Sequence, residues 1–190
     1  MIRTGIYGGS FNPIHQGHTT LGKALTEQGM VDELWFLVSP QNPFKVDHQL
    51  LDDCDRLRLA RMAVEGMEKL EVCDLEMNLP RPSYMVNTLV KLRQMHPERE
   101  FLLVIGADNW ERFPDWYQHE EIMRNHRIII YPRPGYPLEE NLPERVTVAQ
   151  TPLLDISSTD IREKIKNGAY NGDGLNPSVW EEIKKKGYYL

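Results

Sequence analysis

The sequence predicts an α/β fold: a doubly wound parallel sheet with helices on both faces and a small helical C-terminal part. Three observations predict it. Strand-length apolar runs show no polar alternation, helix-period segments lie between them, and glycines follow two of the runs directly. Continuous apolar strands are buried on both faces, which in a parallel sheet means helices above and below.

The elements follow in order. Residues 2–7 read as a strand, closed by Gly8 and Gly9, and residues 17–28 as the first helix. Leu34-Trp35-Phe36-Leu37-Val38 is an apolar run of buried-strand length, stopped by Pro40. Residues 52–67 place Leu57, Ala60, Val64 and Met67 on one helical face. Leu70-Glu71-Val72 reads as a short strand, and residues 83–95 as a helix with Met85, Leu89, Leu92 and Met95 at spacings of three and four. Phe101-Leu102-Leu103-Val104-Ile105 is a strand ending at Gly106, residues 127–131 another, and residues 146–148 the last. Residues 159–166 and 178–185 read as closing helices. The Pro- and Glu-rich stretch 132–144 reads as an exposed loop and not a linker, so residues 1–190 are expected to form one Rossmann-like domain. Residues 40–50 and 107–117 are expected to be loops that close over a substrate.

Composition narrows the function. With 41% hydrophobic and 26% charged residues the chain is an ordinary globular protein, and no apolar run approaches a bilayer span. No basic-and-apolar export signal precedes the first strand, and two cysteines, Cys54 and Cys73, make no disulfide framework, so a cytoplasmic location is expected. A net charge of −6 disfavours nucleic acid and anionic membrane as partners, because both are bound through dense positive charge. An anionic nucleotide remains acceptable where the few cations converge. A homo-oligomer is compatible with the sequence.

Gly8-Gly9-Ser10-Phe11-Asn12-Pro13-Ile14-His15-Gln16-Gly17-His18 follows the first strand directly. The glycines permit a sharp turn and close ligand approach, and a helix beginning near Gly17 aims N–H groups and a positive dipole end at an anion. His15 and His18, three apart at that helix start, can face one spot and donate to phosphate oxygens. This is neither a Walker loop nor the G-x-G-x-x-G fingerprint. The pair lacks an obvious third metal ligand, so no protein-held metal is expected. The second cluster, Ile156-Ser157-Ser158-Thr159-Asp160-Ile161-Arg162, is an ordinary N-cap arrangement on its own. The same helix start also suits a phosphate, with Arg162 one turn in. The third is Gly106-Ala107-Asp108 with Phe113, Trp116 and Tyr117 after it. Asp108 there can accept from ribose hydroxyls, and Trp116 is equally readable as a core anchor. Lys45, after the second strand, is a plausible phosphate contact or a solvated loop lysine.

With these residues in hand, the chain resembles the bacterial nicotinate mononucleotide adenylyltransferases of the HxGH nucleotidyltransferase superfamily. The match runs nearly end to end, through the 8–18 segment, Pro82-Ser83-Tyr84, Gly106-Ala107-Asp108, residues 113–117, Arg133-Pro134-Gly135-Tyr136, residues 156–162 and a closing Gly187-Tyr188-Tyr189. The resemblance implies that Gly8, Gly9, Ser10 and Phe11 line an ATP site. It places His15 and His18 on the phosphates and Ser158, Thr159 and Arg162 on the triphosphate, with Gly106 and Asp108 on the nucleotide. His15, His18 and Arg162 would be the catalytic set. Trp116 would stack near the nicotinate ring, backbone groups around Tyr84, Met85 and Tyr117 would read its carboxylate, and Ser39 and Lys45 would lie near the acceptor phosphate, with Asp108 shared between substrates. Three positions depart from the family pattern: Met85 replaces a threonine, Asn12 an aspartate, and Phe44 a histidine.

The implied reaction joins nicotinate mononucleotide to ATP by direct attack of the acceptor phosphate on the α-phosphorus, with magnesium accompanying the triphosphate. Nearby alternatives change the acceptor to nicotinamide mononucleotide or phosphopantetheine, or keep the fold as a non-catalytic nucleotide sensor. A tRNA-charging enzyme fails on size and acidity.

Overall fold

A computed structural model describes residues 1–40, 50–152 and 155–190. Among these described residues six strands, β1 (Ile2–Gly9), β2 (Glu33–Val38), β3 (Leu70–Cys73), β4 (Arg99–Gly106), β5 (Ile128–Tyr131) and β6 (Val146–Val148), form one sheet in the order β3-β2-β1-β4-β5-β6. Every pairing in it is parallel. The helices are α1 (Gln16–Glu27), α2 (Asp53–Val64), α3 (Met85–Met95), α4 (Ala107–Glu111), α5 (His119–Asn125), α6 (Ser158–Lys166) and α7 (Pro177–Lys186).

The continuous apolar strands divide by alternation into two cores. Leu34, Phe36 and Val38 of β2 and Val104 of β4 face a layer that includes Leu25, Leu59, Ile161 and Val179, from α1, α2, α6 and α7. Trp35, Leu37, Leu103 and Ile105 face the other way, onto Val86, Leu89 and Leu92 of α3 and Ile122 of α5. A period of two with apolar residues at every position buries both faces of each strand. Each such side chain contributes roughly 1.5–3 kcal/mol by leaving water.

Two strand–helix series run outward in opposite directions from β1 and β4, so the strand order reverses between them. That switch point is where open α/β sheets leave a crevice at the carboxyl ends of their strands. Gly9 pairs with Val38 and Gly106 with Tyr131 at that edge.

The boundaries differ from expectation in informative ways. α2 stops at Val64, with Gly66 at φ 76° just beyond, and α3 starts at Met85 with Tyr84 as its N-cap in extended conformation. Residues 107–117 are not a loop: α4 and a 3₁₀ turn, Phe113–Asp115, occupy most of them. These pieces are too short to show a helical period in sequence. The expected 40–50 loop lies almost wholly outside the described residues. Among the described residues, no helix is long and apolar enough to cross a membrane.

Candidate active site

β1 runs out at Gly9, and Phe11 turns the chain in left-handed conformation (φ 45°), which costs an L residue about 1–2 kcal/mol. Its buried ring is held edge-on by Tyr7 and Phe36, with centroids 5.5 Å from each. The same ring supports His18, centroid to centroid 5.0 Å. His15 is the N-cap of α1 with extended backbone, and its N–H donates to His18 Nδ1 at 3.1 Å. That bond makes Nδ1 an acceptor and leaves the proton of neutral His18 on Nε2. The two rings stack at 3.6 Å. A Cβ on Gly17 would lie 3.0 Å from the His15 ring, so this glycine is what lets His15 fold back over the helix start.

Burial pushes the His15 imidazole down to about 4, with Arg133 adding to the effect. His18 is held well below its ordinary value by burial, by His15 and by Arg133. Both rings are therefore neutral at neutral pH, and both line one cleft.

The C-terminal segment closes on this turn. Ser157 caps α6 by accepting from the Asp160 N–H at 3.4 Å. The Ser158 hydroxyl donates to the Pro13 carbonyl at 3.0 Å. Arg162 Nη1 donates to the Asn12 carbonyl at 2.8 Å and Nη2 reaches Thr159 Oγ1 at 3.4 Å. The Gln16 N–H, at the start of α1, goes to the Gly174 carbonyl at 2.7 Å, so the dipole end of α1 presents fewer donors than its sequence implies.

On the other side of the histidines, Arg133 Nε stands 3.4 Å from Asp108 Oδ1, with its guanidinium over the Tyr131 ring. The Tyr131 and Tyr7 hydroxyls meet at 3.0 Å. A Cβ at Gly106 would fall 2.3 Å from Asp108 Oδ1, so only glycine leaves room for this pair. A cleft of about 60 Å³ lies between Tyr7, His15, His18, Tyr131 and Arg133.

Tyr7 is also a wall of a second cavity, about 410 Å³, over the switch point. Gly8, Gly9 and Ser10 form one side of it, and Tyr84, Met85, Trp116 and Tyr117 another. Met85 Cε lies where a Cβ on Gly8 would come within 2.9 Å, so the methionine packs onto the glycine strand end. Tyr84 and Tyr117 rings sit 4.8 Å apart, and among the described residues the buried Trp116 Nε1 has no hydrogen-bond partner.

Residues 6–164 match the cytidylyltransferase-like family. Over 185 residues the chain is 49% identical to the probable nicotinate-nucleotide adenylyltransferase of Bacteroides thetaiotaomicron, spanning 97% of this chain and 92% of that one. The chain belongs to the cytidylyltransferase-like family and, within it, to the nicotinate-nucleotide adenylyltransferases. The relative from Flavobacterium psychrophilum is 39% identical over 99% of both chains. The fold is that of the Plasmodium falciparum nicotinic acid mononucleotide adenylyltransferase solved in complex with NaAD, with TM-score 0.83 at 19% identity, covering 100% of this chain and 98% of that one.

In this family member many of the residues singled out from sequence fall into two groups. His15 and His18 line the small cleft, and Arg162 is tied to the loop that carries them through Asn12. Ser39, Tyr84, Met85, Trp116 and Tyr117 line the large cavity. Gly8, Gly9 and Ser10 line that cavity too and not the cleft, whereas Phe11 lines neither and supports His18 from below. Asp108 also lines neither and faces Arg133. Lys45 lies outside the described residues.

Sequence reasoning missed Glu76 and Arg56, and named Arg133 within a matching segment without giving it a role. Arg56 is fully buried and donates to the carbonyls of Leu51, Ser10 and Ser39 and to Asp53. It thereby ties the turn after β1 to the end of β2. Its signal was legible: an arginine three and four residues before Leu59 and Ala60, on an apolar stripe. Glu76, between Leu75 and Met77, carries only a weak one.

Proposed function

We propose that this chain transfers AMP from ATP to nicotinate mononucleotide, forming the deamido form of NAD and pyrophosphate. The observation that carries this reading is that Tyr7 is a shared wall of two sites. One is a cleft with stacked neutral histidines and an arginine, and the other an aromatic-lined cavity sized for a mononucleotide base. Two substrates bound there would bring a phosphate from each to the strand ends between them.

The acceptor's 5′-phosphate oxygen attacks the α-phosphorus, the bond to the bridging oxygen breaks, and pyrophosphate leaves with its electron pair. A phosphate dianion needs no general base, so the protein's part is alignment and charge stabilisation. His18 Nε2–H, His15 and Arg162 would supply donors at the triphosphate, each worth about 2–4 kcal/mol in the transition state. Ser158 and Thr159 would add the start of α6. Trp116 and Tyr117 would hold the ring, and the first N–H groups of α3, beside Tyr84 and Met85, suit its carboxylate.

Among the described residues no group of three or more His, Cys, Asp or Glu side chains is placed to hold a metal ion. Magnesium fits here as ATP's own counter-ion and not as a resident of the protein. The contacts that tie Arg162 and Tyr189 to Asn12 support residues 1–190 acting as one catalytic unit, and we take its location to be cytoplasmic.

Pyrophosphate release from ATP and magnesium, with nicotinate and nicotinamide mononucleotides as parallel acceptors, tests the reading. Release favouring the acid supports it, release favouring the amide moves the acceptor, and no release with either sinks it.

A further inference from the structure

The large cavity contains a charge that the reaction as described does not use. Glu76 is 2% exposed yet contributes to the cavity wall. Its Oε2 accepts from the hydroxyls of Ser39 at 2.5 Å and Ser83 at 3.0 Å, and its Oε1 from Thr88 at 2.7 Å. Accepting three hydroxyl bonds and donating none is the pattern of a carboxylate. Among the described residues its side-chain partners are all neutral hydroxyls.

We propose that Glu76 is a specificity-determining residue of the acceptor cavity, selecting a positively charged pyridinium ring over a neutral one. The inference rests on the reading of this cavity as the acceptor site and adds what the cavity recognises. Hydroxyl donors satisfy the lone pairs of a buried carboxylate but leave its net charge uncompensated, and in a poorly hydrated site that charge favours a cation. The Ser39 and Ser83 protons are committed to Glu76, so both hydroxyls turn lone pairs and not protons toward the cavity. The wall is thus one of acceptors. Ser39 cannot serve there as a phosphate donor while it holds this bond.

The aromatic part of the lining has the same preference for an independent reason. Tyr84, Trp116 and Tyr117 present aromatic rings, whose negative faces attract a cation beyond what they gain from stacking a neutral ring. A pyridine joined to ribose through its nitrogen carries a fixed positive charge. Purine and uncharged pyrimidine rings, and acceptors without a ring, do not. The carboxylate of nicotinate is the other end of a zwitterion and suits the N–H groups at the start of α3.

The test separates charge from shape. Pyrophosphate release is measured with nicotinate mononucleotide and with its 1,4-dihydro form, whose ring is neutral, using wild type and Glu76→Gln. The wild type is expected to prefer the oxidised acceptor. In Glu76→Gln the KM for the oxidised acceptor should rise about tenfold. The KM for ATP and for the dihydro acceptor should stay near wild type, so that the preference collapses. An equal loss with both acceptors would make Glu76 a structural hub and overturn the proposal. A direct binding measurement guards against a variant that does not fold. In the wild type, tryptophan fluorescence should be quenched by N-methylpyridinium-3-carboxylate at lower concentration than by benzoate. Equal affinities would also overturn it. Absence of turnover with every mononucleotide, but a retained preference for the pyridinium probe, would count against the reaction and leave the recognition standing.

Discussion

His15 and His18 form a stacked pair, with ring centroids 3.6 Å apart and planes 21° from parallel, joined by the His15 N–H to His18 Nδ1 bond of 3.1 Å. Two imidazoles that close cannot both carry a proton cheaply, and burial beside Arg133 pushes both in the same direction. On the proposed reading, an arriving triphosphate would reverse that balance. The pair is poised to be neutral when empty and to gain positive character where negative charge develops.

The depressed His15 value has a consequence for stability. The unfolded chain binds a proton at about 6.5, whereas the folded one holds His15 near 4. Between those values the unfolded state carries more protons. This part of the stability is complete above the unfolded value and is lost as pH falls toward 4. The loss amounts to about 3 kcal/mol, with His18 acting in the same direction. Urea midpoints at neutral and at acid pH should therefore converge in His15→Gln relative to wild type. An unchanged separation would place the acid sensitivity elsewhere.

On the proposed reading, replacing His18 by alanine would remove a phosphate donor that does not itself line the acceptor cavity. We expect kcat for pyrophosphate release to fall about 10²–10³-fold, with the KM for nicotinate mononucleotide little changed. Steady-state kinetics with each substrate varied in turn decide it; a loss confined to the acceptor KM would move His18 out of the phosphate site.

Trp116 lines the cavity and packs on Phe113 at 5.4 Å. Trp116→Ala should raise the acceptor KM about 10–100-fold by removing a stacking face. ATP binding, followed by calorimetry, should be unaffected. Equal weakening of both substrates would return Trp116 to a packing role.

Arg56 holds three backbone carbonyls and Asp53 from a fully buried position. Arg56→Met leaves these groups without their donor and should cost about 3 kcal/mol, or a melting temperature lower by about 8 °C. Calorimetric melting provides the number, and a near-wild-type transition would mean that the loops do not depend on it.

Gly106→Ala brings a methyl to 2.3 Å from Asp108 Oδ1 and 3.0 Å from the Tyr131 ring. The Asp108 side chain can swing away, so stability should change little, while the Arg133 pair breaks and the KM for ATP rises about tenfold. A folded variant with normal ATP kinetics would show that the Asp108–Arg133 pair is not part of the nucleotide site.

Several features were legible along the chain. The runs at 34–38 and 101–105 give β2 and β4 because an apolar residue at every position can be satisfied only by burial of both faces. The 8–18 turn was legible for a similar reason: glycines, histidines and a helix start within eleven residues are a local pattern, and the structure stacks that histidine pair. Trp116 and Tyr117 were readable as aromatic, but nothing local distinguishes a core anchor from a cavity wall.

What the tertiary structure alone decided are the contacts between residues far apart in the chain. Arg162 meets the Asn12 carbonyl and Tyr189 the Asn12 amide oxygen across 150 and 177 residues. Glu76 gathers Ser39 from just past β2, Ser83 from just before α3 and Thr88 from α3 itself, and Arg56 ties the ends of β1 and β2. Periodicity reports which face of an element is apolar, because that depends on neighbours three or four residues away. Which polar group is buried with which partner depends on the order of strands in the sheet, and that order is set only when the helices pack.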